Sequence, residues 1–254
     1  MSTPICDFVR GYCDSVLLRL HMPGHKGRGE LGCEALDITE VPGADDLACP
    51  EGVILESEEN TTELFGSRHS FYCTGGSSQC VKAMLHLAYL FRPEGTGNCI
   101  LAARNAHKSF LHGCALLGLE PRWLYPEAGT PLCSCPVSPA ALERALQTGE
   151  RPFAVYITSP DYLGGVQDIS ALAEVCHRHG LPLLVDNAHG AYLKFLEPSR
   201  HPLDLGADMC CDSAHKTLPV LTGGAYLHVS ELAQAAFEAE VRHSLAVFGS
   251  SSPS

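Results

Sequence analysis

Residues 153–190 read FAVYITSPDYLGGVQDISALAEVCHRHGLPLLVDNAHG, and this stretch decides the fold. Phe153 to Thr158 is a short apolar run rich in aromatic and β-branched residues, the pattern of a buried strand. After a turn-rich loop, Ile169, Leu172, Ala173 and Cys176 recur at helical spacing, and Gly180 marks the helix end. Leu181 to Val185 is a second apolar run, and it stops on Asp186. Strand, helix and strand in that order form a βαβ unit, whose two strands run parallel.

The alternation extends outward from there. Arg68 to Cys73 reads as a short strand closed by Thr74-Gly75-Gly76, and Val81, Met84, Leu85 and Ala88 mark the helix after it. Asn98 to Ala102 is another strand, followed by a helix from His107 to Leu117 that Gly118 ends. Ser138-Pro139 opens a helix carrying Leu142, Ala145 and Leu146, with Gly149 past its end. Asp208 to Cys211 and Gly224 to Val229 add two strands, and Ser230 reads as the cap of a helix ending near Glu240. The fold class is therefore α/β, a mostly parallel sheet between two helix layers. In such sheets chemistry lies beyond the carboxyl ends of the strands. That rule selects Thr74–Ser78, Ser159–Tyr162, Asp186–His189 and Ser213–Lys216. The first forty or so residues lack the alternation and read as an arm ending in a turn-rich loop at His21–Gly27. Residues 37–60, acidic and polar, read as a loop region.

Composition narrows the class. The chain has 254 residues, 45% hydrophobic and 18% charged, which suits one or two folded domains rather than a disordered or fibrous chain. Lys+Arg 17 against Asp+Glu 29 gives a net charge of -12, which argues against a nucleic-acid binder. No apolar run approaches the roughly 20 residues of a membrane span. The N-terminus has no charged region leading into an apolar one, so a cytoplasmic protein is expected. The 13 cysteines are an odd number, and Cys73, Cys99, Cys176, Cys210 and Cys211 lie in apolar segments as small buried hydrophobes of a reducing compartment do. Zinc-finger spacing is absent, and no metal site is expected.

Only five lysines occur, three of them in His-Lys pairs at 25–26, 107–108 and 215–216. Lys82 and Lys194 read as solvated surface charges. Lys216 follows the strand at 208–211 and precedes apolar Thr217–Leu221, a setting in which a desolvated amine forms Schiff bases. Asp186 ends an apolar strand, where a buried carboxylate needs a cation or a proton donor. A pyridinium nitrogen is such a partner; a structural hydrogen-bonding role is the alternative. A lysine Schiff base with an aspartate on the ring nitrogen marks pyridoxal phosphate enzymes. Thr74-Gly75-Gly76-Ser77-Ser78 opens a helix and is either a phosphate cradle or an ordinary turn and cap. His107 either caps its helix or stacks on a planar cofactor, and His189 and His215 flank the aspartate and the lysine. No G-x-S-x-G or HExxH occurs, which disfavours serine hydrolases and zinc proteases.

Six motifs carry a family resemblance. They are His21-Met22-Pro23-Gly24-His25-Lys26-Gly27, Asp37-Ile38-Thr39-Glu40, Gly43-Ala44-Asp45-Asp46-Leu47, Arg104-Asn105-Ala106-His107-Lys108-Ser109, Val185-Asp186-Asn187-Ala188-His189-Gly190 and Ser213-Ala214-His215-Lys216-Thr217-Leu218-Pro219. The chain resembles the bacterial ornithine/lysine/arginine decarboxylases, in the short form that lacks an N-terminal wing domain. The resemblance implies a three-layer, aspartate-aminotransferase-like major domain of fold type I that binds pyridoxal 5′-phosphate. It implies Lys216 as the Schiff-base lysine, Asp186 as the partner of the ring nitrogen and His107 as the residue stacked on the ring. Ser77, Ser78, Ser213 and His215 would hold the phosphate, with His189 also in the cofactor site. The implied reaction is decarboxylation of lysine, arginine or ornithine to a polyamine precursor, at a homodimer interface. Two departures stand out. The phosphate loop reads Gly-Gly-Ser-Ser where the family more often has Asn-Gly-Thr-Ser. The sequence stops after Val247-Phe248-Gly249-Ser250-Ser251-Ser252-Pro253-Ser254, where relatives continue into further helices and a C-terminal domain. The expected organisation is thus an arm with its Pro-Gly-His-Lys-Gly loop over residues 1–40 and a cofactor-binding major domain over 41–254, the small C-terminal domain being absent. A truncated, inactive remnant and another reaction on the same fold, an aminotransferase or aldolase, are the alternatives.

Overall fold

The computed structural model describes residues 2–15 and 17–250, so the last part of the tail motif, 251–254, lies outside the described residues. The elements in chain order are α1 (Pro4–Asp14), α2 (Val53–Phe65), β1 (His69–Cys73), α3 (Ser77–Leu90), β2 (Cys99–Ala103), α4 (Lys108–Leu117), β3 (Glu120–Leu124), α5 (Pro139–Leu146), β4 (Val155–Thr158), α6 (Ile169–Arg178), β5 (Leu183–Asp186), β6 (Met209–Asp212), α7 (Ala214–Thr217), β7 (Ala225–Val229) and α8 (Ala235–Phe248). They build one seven-stranded sheet in the order β1-β7-β6-β5-β4-β2-β3. Only β7 runs against the others, pairing antiparallel with β1 and β6; the remaining ladders are parallel.

The two-residue period of the strands divides the core. Ile100, Ala102, Tyr156, Leu184 and Cys211 face one way and pack with α3, α4 and α8. Leu101, Ala103, Val155, Val185 and Cys210 face the other way, against Phe65, α5 and α6. Helices thus cover both faces, which makes the three layers expected from sequence. Local signals act where they were read. Ser138 Oγ accepts the Ala141 N–H at the start of α5, and Gly118 ends α4 at a φ of 66°.

Four expectations need correction. Residues 53–65, within and beyond the stretch read as loop, are helix α2, and α1 lies in the arm. The pattern of α2 is hidden because its inward face is partly polar: Glu58 is fully buried, accepts the Tyr72 N–H and pairs with Arg242 and His69. Strand β3 escaped notice because it is a short edge strand with Pro121 in it. The last helix starts at Ala235 rather than beside Ser230, whose hydroxyl instead closes a turn by accepting the Leu232 N–H.

The start of α2 depends on Asp45, whose carboxylate accepts the N–H groups of Glu51, Gly52 and Ile54. Burial alone would raise its pKa, but these backbone donors outweigh burial and hold it below 3.8. Its stabilisation is therefore present above the ordinary carboxylate range and is lost as pH falls through the lowered value. Asp45→Ala is expected to cost about 1–2 kcal/mol at neutral pH. Urea unfolding should show that deficit shrinking in acid, down to the part that comes from placing alanine at the positive φ of Asp45.

Candidate active site

Every segment that the strand-end rule selected lies on one edge of the sheet. Asp186 closes β5, Ser213 and α7 follow β6, Thr158 closes β4, and His107 follows β2. The loops are tied to each other through the backbone: Ser159 N–H to Asp186 C=O at 3.0 Å, Asn187 N–H to Cys211 C=O at 3.0 Å, and Gly76 N–H to Gly223 C=O at 2.9 Å. Ser213 Oγ donates to Ser77 Oγ at 2.7 Å, which joins the start of α7 to the start of α3.

Asp186 is 3% exposed. Its Oδ2 accepts the Tyr156 hydroxyl at 2.9 Å and its Oδ1 accepts the Ala188 N–H at 3.2 Å. Among the described residues no ion pair forms to it. Burial and the Asp186 charge keep the Tyr156 phenol protonated, with its pKa well above 10. His107 caps α4: its Nδ1 receives the Ser109 N–H, so in the neutral ring Nε2 carries the proton. Both alternatives read for His107 remain compatible, because capping occupies one ring nitrogen and leaves the ring faces free. Burial, followed by the field of Lys216, lowers the His189 pKa below 6.5; burial likewise lowers that of His107.

Lys216 differs from expectation. Its residue is exposed, because α7 ends the sheet edge and no described segment covers the amine. It is nonetheless anchored: Nζ lies 3.2 Å from His189 Nε2, and the Tyr162 ring stands 5.3 Å from the His189 ring. With His189 neutral, the ammonium donates this bond. The fields of Asp186, Lys216 and His107 all reach His189, so the four groups share one region.

The Thr74–Ser78 loop has two of its N–H groups already engaged. The Gly75 N–H is taken by Gln79 Oε1 and the Gly76 N–H by Gly223. The first N–H groups of α3, on Ser77 and Ser78, point out of the helix as every helix start requires. Gly76 holds a φ of +70°, and a Cβ there would meet nothing within 4 Å, so open space lies over the loop. His215 bonds through its backbone to Gly224 and is half-buried; its ring makes no hydrogen bond within the described residues. Several buried polar groups around the edge also lack partners: the Asn105 amide, Thr158 Oγ1 and Thr217 Oγ1.

Tyr156 was missed because inside an apolar strand a tyrosine reads as core. His201, Cys210 and Asp212, whose donor atoms lie within 4.8 Å of one another, were missed because the loop before β6 folds His201 back beside the strand, a contact that no local spacing marks. The quoted cysteines do behave as buried hydrophobes, and burial pushes the Cys176 thiol up to about 12. A cavity of about 920 Å³ lies elsewhere, between α1, α2 and residues 220–226, and is lined by none of Lys216, Asp186 and His107. No described helix is long and apolar enough to cross a membrane.

The mostly parallel seven-stranded sheet between helix layers is the fold type I, aspartate-aminotransferase-like major-domain fold. The chain belongs to the Orn/Lys/Arg decarboxylase family, whose major-domain model matches residues 3–254. It is 33% identical over 241 residues to the uncharacterized protein YaaO of Bacillus subtilis, covering 91% of this chain and 49% of that one. It is 31% identical to an arginine decarboxylase of Halalkalibacterium halodurans, covering 90% and 48%. The lysine decarboxylase LdcF of Francisella novicida superposes with a TM-score of 0.79 at 19% identity, covering 98% of this chain and 38% of that one. The chain thus spans about half the length of the curated relatives it matches.

Because Lys216 is one of the causes that lower the His189 pKa, Lys216→Met is expected to move the His189 titration midpoint up toward 6.5. Imidazole NMR titration reads this directly, and an unmoved midpoint would refute the contact.

Proposed function

We propose that this chain is the cofactor-binding part of a pyridoxal phosphate-dependent decarboxylase acting on arginine, lysine or ornithine. The observation that carries the reading is the convergence of a lysine, a buried carboxylate without a cation and an open helix N-terminus on one sheet edge. The residues fit the cofactor. Asp186, lacking a cationic partner, suits a protonated ring nitrogen. The Ser77 and Ser78 N–H groups, with the two hydroxyls and His215, suit a phosphate. His107 offers a ring face, and Lys216 offers the amine.

When bound, pyridoxal phosphate supplies the electron sink that takes up the electron pair left as the substrate carboxylate departs as CO₂. The chain's own groups do the rest. His189 accepts a hydrogen bond from the Lys216 ammonium and is held neutral, so it can receive the proton that the lysine must lose to act as a nucleophile. Tyr156 and the Ala188 N–H fix both oxygens of Asp186, so its remaining lone pairs are directed rather than free to rotate. Ser213 and Ser77 lock the phosphate end to the lysine end.

Exclusion of water from the Lys216 amine needs a covering surface. A homodimer is the source we propose, since the arm presents Leu17, Leu18, Leu20 and Met22 to solvent, each more than 60% exposed. We also propose the arm over 1–40 and the major domain over 41–254 as the working units, a cytoplasmic setting in keeping with the free cysteines, and a product that feeds polyamine synthesis.

Release of CO₂ from carboxyl-labelled arginine, lysine or ornithine tests the assignment. Lys216→Ala should abolish it. Asp186→Ala should lower turnover roughly 100-fold or more while costing far less in cofactor affinity. Transfer of the amino group to a keto acid without CO₂ would instead indicate an aminotransferase, and an Asp186→Ala variant as active as the parent would contradict the carboxylate's role.

A further inference from the structure

Strand alternation places Asp186 on the α3/α4 face of the sheet and Asp212, on β6, on the opposite face. Asp212 is fully buried and sits where three donors meet. Its Oδ1 accepts the Asn187 amide Nδ2 at 2.6 Å. Its Oδ2 accepts His201 Nε2 at 3.0 Å and His228 Nε2 at 3.2 Å. The proton assignments beyond it are consistent. With Nε2–H on His228, its Nδ1 accepts from Ser70 Oγ at 2.7 Å, and Ser70 in turn accepts from Ser67 Oγ. His201 Nδ1 accepts the Leu203 N–H at 3.4 Å. Three donors, the Asn187 amide and the two imidazoles, converge on Asp212, which is their shared acceptor. Burial alone would raise its pKa, but the two imidazoles outweigh burial and hold it far below 3.8. Cys210 Sγ is close enough for the group to resemble a metal site, yet both Asp212 oxygens are already in use as hydrogen-bond acceptors.

The place of this hub in the chain matters more than its burial. Asn187 is the residue after Asp186, and Ser213 is the residue after Asp212. One carboxylate therefore ties together the two backbone turns that carry Asp186–His189 and Ser213–Lys216. We propose that Asp212 is a positioning residue for the cofactor site, acting from the far face of the sheet through Asn187. It touches neither cofactor nor substrate. The inference rests on the functional reading above and adds to it the group that holds the ring end and the lysine end in register.

Cofactor affinity and the ellipticity that the bound cofactor acquires in its visible band test it together, since the latter reports cofactor orientation and is indifferent to mere loss of stability. Asp212→Asn presents an amide N–H₂ to a site built from donors. It is expected to weaken pyridoxal phosphate binding about tenfold or more and to alter the visible ellipticity. Asn187→Ala should do the same, and the double variant should bind no more weakly than either single one. Ser67→Ala, at the far end of the same hydrogen-bond chain, should lower stability alone. An Asp212→Asn protein that melts earlier yet binds with parental affinity and ellipticity overturns the proposal. If that variant does not fold, Asn187→Ala with parental affinity and ellipticity overturns it equally. A parent chain that takes up no cofactor overturns the functional reading and this inference with it, whereas parental uptake with unchanged variants overturns this inference alone.

Discussion

A carboxylate almost out of reach of solvent, with no ion pair among the described residues, is the constraint on which the site depends. Asp186 is held by one phenol, one backbone N–H and the Cys211 thiol, and among the described residues no cation pairs with it. The parallel sheet creates the situation, because β5 delivers its last residue to the edge between β4 and β6 while its other residues stay in the core. What surrounds Asp186 is suited to a positively charged ring: an imidazole that caps a helix but keeps its faces free, a lysine tethered to a second imidazole, and a helix start with open space over its glycine.

The sheet works as a plate with two faces. On the α3/α4 side lie Asp186 and the Tyr156 hydroxyl that holds it. On the other side Asp212, Asn187, His201 and His228 bind the same two strand ends from behind. Such a division is economical in sequence, since residues that neighbour each other along a strand end serve opposite faces. It also implies that stability and site geometry are coupled at β5 and β6, where a loosened turn on one face displaces groups on the other.

Much of this was legible from the residues. The β4–α6–β5 unit announces itself because its strands are buried on both faces and its helix has one clean apolar stripe. Once the strands are placed, the strand-end rule finds Asp186, Ser213, Lys216 and the Ser77 loop without further information. Where reading failed, the inward-facing residues were polar or the element lay at an edge. Helix α2 turns Ser57, Glu58 and Thr61 inward, and their partners come from β1 and from Arg242 almost two hundred positions away, so no local pattern marks it. The exposure of Lys216 was illegible for another reason: the apolar residues after it suggest burial, but they leave the sheet edge instead of folding over the amine. Asp212 could be seen as a strand-end acid, but its partners His201 and His228 approach from a loop and an antiparallel strand that periodicity does not connect.

The most direct test of the account is chemical. Incubating the protein with pyridoxal phosphate, reducing with borohydride and mapping the labelled peptide by mass spectrometry asks which amine meets the cofactor. A single stable adduct on Lys216 is expected. An adduct on Lys26, Lys82, Lys108 or Lys194 instead, or no adduct at saturating cofactor, would contradict it.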